Sequence, residues 1–321
     1  MTPLLRRSVL AGLTAFAGLA RPALAQTQMG DVDWRPHVAS PAYAEPGPLI
    51  LLDEAHDTLQ TATGRYAGFA ALVRADGYRL QSLRLRLDDP AALRDAAVLV
   101  ISNPRVRQGQ GGSAFTEAEI EAVAAWVDQG GSVLLAADHA PYGAAAEALG
   151  RRFGVVMGKG YAFQTVGGDV TSNLLFPAAA LGDHVILRGR NADEAVHAVR
   201  SFTGQSLGGP ASADILLNMS SDALEAPDLA TLQQIRTRLR AGEDPALVTT
   251  ELARPALPAQ GLAFAFGRGR VVVLGEAGML TAQVVRFADG RAPQRMGLNT
   301  TGHDDQQFAL NLLHWLSRLL P

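Results

Sequence analysis

AAVLVIS at residues 96–102, TEAEIEAVAAWVDQGG at 116–131 and SVLLAAD at 132–138 decide the fold. The first and third are short apolar runs that end on polar residues, the pattern of strands in a parallel sheet covered on both faces. Between them Thr116 and Glu119 form a capping box that opens a helix, and Gly130 closes it. A strand, a helix and a strand at this spacing require a right-handed crossover. Working outward, LILLD at 49–53 is another buried strand. GRYAGFAALVRADG at 64–77 is a helix with Tyr66, Phe69, Leu72 and Val73 at helical spacing and Gly77 as its stop. YRLQSLRLRL (78–87) alternates as a strand, and GAAAEALGRRFG (143–154) is a helix. LAFAFGRGRVVVLGE (262–276) reads as a hairpin-like pair turning at Gly267, Arg268 and Gly269, and DDQQFALNLLHWLSRLL (304–320) as a closing helix.

The alternation predicts an α/β fold with a doubly wound, mainly parallel, flavodoxin-like sheet. Residues 156–259 are less periodic, rich in glycine turns, with one amphipathic helix at 229–242, and read as an insertion carrying its own strands. Residues 26–47, with Pro36, Pro41 and Pro46, read as an extended lead-in, so the ordered domain is expected over 48–321.

Composition narrows the chemistry. The chain has 321 residues, 48% hydrophobic and 18% charged, enough to bury a sizeable core. A net charge of −3 offers no basic face for phosphates, so nucleic acid is set aside as a partner. The chain has no cysteine, which excludes disulfides, thiolate nucleophiles and cysteine-held metals; a metal would need His and carboxylate ligands. Residues 1–25 read as a signal peptide: Arg6 and Arg7, an apolar run from Val9 to Ala20, then Ala23 and Ala25 before Gln26. Export by the Sec or twin-arginine route to a periplasmic or secreted location is expected. No stable membrane span is expected after cleavage, since no later run reaches ~18 apolar residues.

In an open parallel sheet, ligands bind beyond the carboxyl ends of the strands. Those ends carry Asp53, Glu54 and His56; Ser102 and Asn103; Asp138 and His139; and Glu276. Carboxylates with imidazoles suit general acid–base work, or a divalent metal ion held by His56 and His139. Any one of these residues could equally cap the helix that follows its strand. Asn103 and His303 are candidate ligand-binding residues, His303 because the loop before the last helix could reach the same crevice. Asp304 or Asp305 reads as the cap of that helix, and His314 as packed or surface-lying rather than catalytic. No Gly-x-Ser-x-Gly elbow occurs, so a triad of Ser102, His139 and Asp138 lacks its turn. No glycine follows the first buried strand until Gly64, which disfavours nicotinamide and nucleoside triphosphate.

Taken together, LLDEAHDTLQTATGRYAGFAALVRADGY, FTEAEIEAVAAWVDQGGSVLLAADHAPYGAAAEAL, GEAGMLTAQ and QQFALNLLHWLSRLL resemble the class I glutamine-amidotransferase-like superfamily, in its cysteine-less secreted bacterial branch. The resemblance covers 48–155 and 261–321 and implies the fold more than the activity. Those amidotransferases carry a cysteine after the strand that here reads SVLLAAD, where this chain has Asp138, so thiolate glutamine hydrolysis is excluded. The expectation is an exported hydrolase-like enzyme acting on a carbohydrate or related polar metabolite. Asp53, Glu54, His56, Asp138, His139 and Glu276 would stand in one crevice. The alternative is a non-catalytic periplasmic ligand-binding or transport- or assembly-associated domain.

Overall fold

The computed structural model describes residues 26–321 apart from 45, 108–111, 221, 251, 253, 254 and 256; the signal segment read at 1–25 lies outside the described residues. The first part of the chain forms β1 (Gln26–Gly30), β2 (Leu49–Asp53), α1 (Ala67–Ala75), β3 (Arg79–Leu83), β4 (Val98–Ser102), α2 (Glu117–Asp128), β5 (Ser132–Ala136) and α3 (Tyr142–Arg152). The middle forms β6 (Val156–Met157), β7 (Tyr161–Val166), β8 (Asp169–Thr171), β9 (Leu175–Pro177), α4 (Val185–Arg188), β10 (Ala198–Arg200), β11 (Leu207–Gly208), β12 (Asp214–Asn218), β13 (Leu224–Ala226), α5 (Leu229–Arg240) and α6 (Pro245–Thr249). The last part forms β14 (Ala259–Phe266), β15 (Gly269–Leu274), β16 (Ala282–Phe287), β17 (Gln294–Gly297) and α7 (Asp305–Leu316).

The architecture is mixed α/β around a nine-stranded sheet ordered β3-β2-β4-β5-β15-β14-β11-β6, with β12 also paired to β14. From β3 to β15 every pairing is parallel. From β15 outward every pairing is antiparallel, so the sheet as a whole is mixed rather than mainly parallel. The physical cause is the tight turn at Gly267–Gly269, which reverses the chain between β14 and β15 and leaves β14 as an edge for strands from the middle of the chain.

Strand side chains alternate between two cores, as period two requires. Ile50, Leu52, Val100 and Leu134 pack with Phe69 and Leu72 of α1 and Phe308 and Leu312 of α7. Leu51, Leu99, Ile101, Val133 and Leu135 pack on the opposite face with Ile120 and Val123 of α2 and Leu149 of α3. Each fully buried side chain of this size contributes roughly 1.5–3 kcal/mol. The Thr116–Glu119 capping box forms as read. The cap read at Asp304 or Asp305 does not, because both carboxylates point away from their own helix. Asp304 accepts from the backbone of His197 and Ala198, and Asp305 from that of Arg200, which tethers β10 to the start of α7. His314 is packed: it is buried and bonded to Asp76 at 2.7 Å.

Two further departures shape the site. The lead-in is not merely extended, since Gln26–Gly30 pairs antiparallel with β16 and makes a three-stranded sheet with β17. QTQMG has no apolar face to bury, so nothing local signals a strand whose partner lies over 250 positions away in sequence. The middle segment, read as an insertion carrying its own strands, does carry them, but β6, β11 and β12 extend the main sheet. Only β7, β8, β13, α5 and α6 gather round a small core of their own, with Phe163, Leu232, Ile235 and Leu239. No helix among the described residues is long and apolar enough to cross a membrane.

Candidate functional site

The polar strand ends do not converge on one place. At the end of β2, Asp53 accepts from Ala55 N at 3.0 Å, and its other oxygen lies 2.8 Å from His56 Nδ1. His56 Nε2 lies 3.3 Å from Glu119, the capping-box residue of α2. Burial works to lower the His56 pKa, but the Asp53 and Glu119 carboxylates outweigh it and the net shift is upward. A protonated imidazole then donates from both nitrogens, one to each carboxylate. Glu54 accepts from Ala62 N and Ser82 Oγ and pairs with Arg84. Burial would raise Glu54, yet these donors and the guanidinium hold it below the ordinary carboxylate range. Asp53, Glu54 and His56 are thus saturated by the protein and tie the β2 loop to α2 and β3. His56 borders a hollow of about 120 Å³ beside Glu119.

The second cluster lies where β5 and β15, parallel neighbours, deliver Asp138 and Glu276 to the floor of a crevice of about 630 Å³. Asp138 accepts from Ala277 N at 2.7 Å and from Asn103 Nδ2 at 2.6 Å, while its own N–H donates to Asn103 Oδ1 at 2.9 Å. Asn103 adopts φ +43°, a left-handed conformation that asparagine tolerates better than most residues. This lets its backbone N–H bond Ala136 O while its amide grips Asp138. Glu276 is buried and accepts from the backbone N–H groups of Gly278 and Met279. A Cβ at position 278 would lie 2.6 Å from Glu276 Oε1, so any larger residue there would displace the carboxylate from its backbone donors. Burial raises the Asp138 carboxyl, and burial together with the Asp138 charge raises Glu276 well above the usual range. Two like-charged groups in one poorly solvated place cannot both ionise cheaply, so the pair retains a proton to higher pH than either would alone.

Tyr66 braces this floor. It accepts from Ser102 Oγ at 2.7 Å and donates to Ala277 O at 3.2 Å; burial keeps its hydroxyl protonated. Ser102 is therefore spent on Tyr66 rather than poised as a nucleophile. His139 stacks on Tyr161 with ring centroids 3.9 Å apart, and its Nδ1 lies 2.8 Å from Ala140 O. A carbonyl only accepts, so Nδ1 carries hydrogen and Nε2 is the nitrogen left for other partners.

Of the residues picked out from sequence, Asn103, Asp138, His139 and Glu276 come together, and Asp53, Glu54 and His56 do not join them. His303 is bound to Thr300 Oγ1 at 2.6 Å and to Asp305, and does not line the crevice. His56 and His139 border different hollows, and both nitrogens of His56 already face carboxylates. Among the described residues no three His, Asp or Glu side chains gather as a metal site. Sequence reasoning missed the walls. One is the β1-β16-β17 sheet, presenting Gln26, Gln28, Gln283 and Gln294; the other includes Tyr161 and Arg236; Arg65 also borders the crevice. The one local signal was glutamine at alternate positions in β1, which puts both side chains on one face of a strand.

Fold and crevice define a mixed α/β protein with a carboxylate floor at parallel strand ends. The chain belongs to the family described as Domain of unknown function (DUF4350), whose model matches residues 61–292. In structure it is similar to the mmIFT52 N-terminal domain, with TM-score 0.55 and 15% identity over 84% of this chain and 97% of that one, a likeness of fold alone. Looser similarities reach a putative ThuA-like protein from Bacteroides uniformis (TM-score 0.40, 12% identity, 88% of this chain and 94% of that one). A β-galactosidase from Bacillus circulans sp. alkalophilus is matched at TM-score 0.40 and 10% identity, over 84% of this chain and 30% of that one. No curated protein sequence matches the chain. The resemblance to class I glutamine amidotransferases is overturned: the motifs that suggested it belong to a DUF4350 protein whose fold likeness runs to the mmIFT52 N-terminal domain.

Proposed function

We propose that this chain is an exported hydrolase-like enzyme acting on a carbohydrate or related polar metabolite, with Asp138 as its acid–base group. The observation that carries the reading is the Asp138–Glu276 pair, two carboxylates with raised pKa at the floor of a crevice of about 630 Å³. Glu276, the more buried, holds the proton. Asp138, half-buried and facing the crevice, takes a proton from an attacking water and returns it to the leaving oxygen, so the step balances without another reactant. His139 lines the same space, and its Nε2, left free by the Nδ1 contact to Ala140 O, orients the water. The parallel half of the sheet, read as a doubly wound platform, accounts for the crevice lying at strand carboxyl ends.

A second reading, a non-catalytic binding domain, is favoured by one fact: every oxygen of Asp138 and Glu276 already accepts from a protein N–H, as a fixed recognition floor would. Asp138→Asn separates the two. With mature protein and a panel of nitrophenyl glycosides and esters, the enzyme reading expects turnover that the variant loses by about 10²–10⁴-fold. Turnover within a few-fold of wild type in a folded variant rejects Asp138 as the acid–base group. Equal ligand affinity with no turnover in either protein supports binding alone.

A further inference from the structure

The crevice walls carry two unsatisfied groups of opposite character. Gln283, 2% exposed, donates from Nε2 to Thr281 Oγ1 at 2.8 Å, and Thr281 Oγ1 donates in turn to Gly278 O at 2.6 Å. Because the threonine hydrogen is already spent on a carbonyl, the amide cannot be turned round, and Gln283 Oε1 is left buried without a partner among the described residues. A buried acceptor in that state calls for a hydroxyl or N–H donor. Gln28 and Gln294 stand on the same face: both are in register with Val285, two positions along β16 from Gln283. Across the crevice, Arg236 Nε is likewise buried without a hydrogen bond. Its nearest carboxylate, Asp169, lies 4.0 Å away and is held by Arg240 at 2.9 Å. Arg65, half-buried on the crevice, makes no side-chain hydrogen bond among the described residues and acts on Asp138 through its charge alone.

We propose that the crevice takes a polyhydroxylated anion, a sugar acid or sugar phosphate, whose hydroxyls are read by Gln283, Gln28 and Gln294 and whose anionic group is held by Arg65 and Arg236. This rests on the reading of the crevice as the substrate site and adds the class of substrate. Guanidinium groups bind carboxylate and phosphate bidentately, whereas the amide wall offers both donors and acceptors to ring hydroxyls.

The test is calorimetric titration of the mature protein, wild type and Asp138→Asn, with digalacturonate, its dimethyl ester, galactobiose and galactose 1-phosphate. The expected result is binding of digalacturonate or galactose 1-phosphate at least tenfold tighter than the ester and galactobiose. That preference is removed in Arg236→Gln and Arg65→Gln, whose side chains are partly exposed, and it weakens as sodium chloride rises. The stronger of the two anions identifies the source, carboxylate or phosphate. Equal affinity for charged and neutral sugars, no binding of any of the four, or an undiminished preference in both arginine variants overturns the proposal. The two readings fail separately. Anion binding without turnover sinks the enzyme and spares this inference; turnover of neutral glycosides with no anion preference does the reverse.

Discussion

The end of β2 and the paired ends of β5 and β15 use the same vocabulary, carboxylate beside histidine, and put it to opposite uses. At β2 both His56 nitrogens face buried carboxylates, and Glu54 is engaged by two donors and a guanidinium. The cluster is complete and holds helix to sheet. At β5 and β15 the carboxylates meet each other, the charges of His139 and Arg65 only partly offset the burial of Asp138, and His139 keeps one nitrogen unspent. Residue type does not separate the two clusters; what each carboxylate faces in the folded chain does.

The contrast can be broken most forcefully at His56. His56→Ala leaves Asp53 and Glu119 buried without their shared cation, and the expected loss is about 3–5 kcal/mol of stability. Crevice ligand affinity should be unchanged at temperatures where the variant is folded. Denaturant unfolding beside calorimetry checks both halves; a crevice defect in a folded His56→Ala protein would join the clusters into one site.

A smaller effect appears in pH dependence. Folding raises the His56 pKa, so its contribution is fully present below 6.5 and is lost as pH rises through the folded value. Asp138 and Glu276 are also raised, so the folded state favours their protonated forms and becomes less stable as pH climbs above the ordinary carboxylate range. Glu54 and Glu119 are lowered, and their contribution fades as pH falls below the ordinary carboxylate value. The melting temperature is therefore expected to decline between about pH 5 and pH 8, the range where such linkage usually sets the optimum. Glu276→Gln should flatten the decline by removing the like-charge pair. An unaltered slope would show that Glu276 does not contribute to the decline in this range.

The smallest change is expected from Asn103→Gly. Glycine accepts φ +43° without strain, so the substitution removes the amide that grips Asp138 and leaves the backbone turn intact. Stability should shift by about 1 kcal/mol. The acid limb of the activity profile should move to higher pH, because Asp138 loses a donor to its charged form. An unmoved limb would make Asn103 a structural residue only.

The sequence by itself determined the buried strands, the helices between them, the capping box at Thr116 and the absence of thiol chemistry. Each of these follows from local spacing or from residue identity. It also placed Asn103, Asp138, His139 and Glu276 at strand ends, and these met because β4, β5 and β15 are adjacent in the sheet. Only the tertiary structure decided that Glu119 would close the β2 cluster, sixty-three positions from His56. Only it could pair Gln26 with Phe287 and so raise a wall of glutamines over the crevice. Hydrogen-bond saturation and long-range strand pairing are properties of the folded neighbourhood, and no periodicity along the chain encodes them.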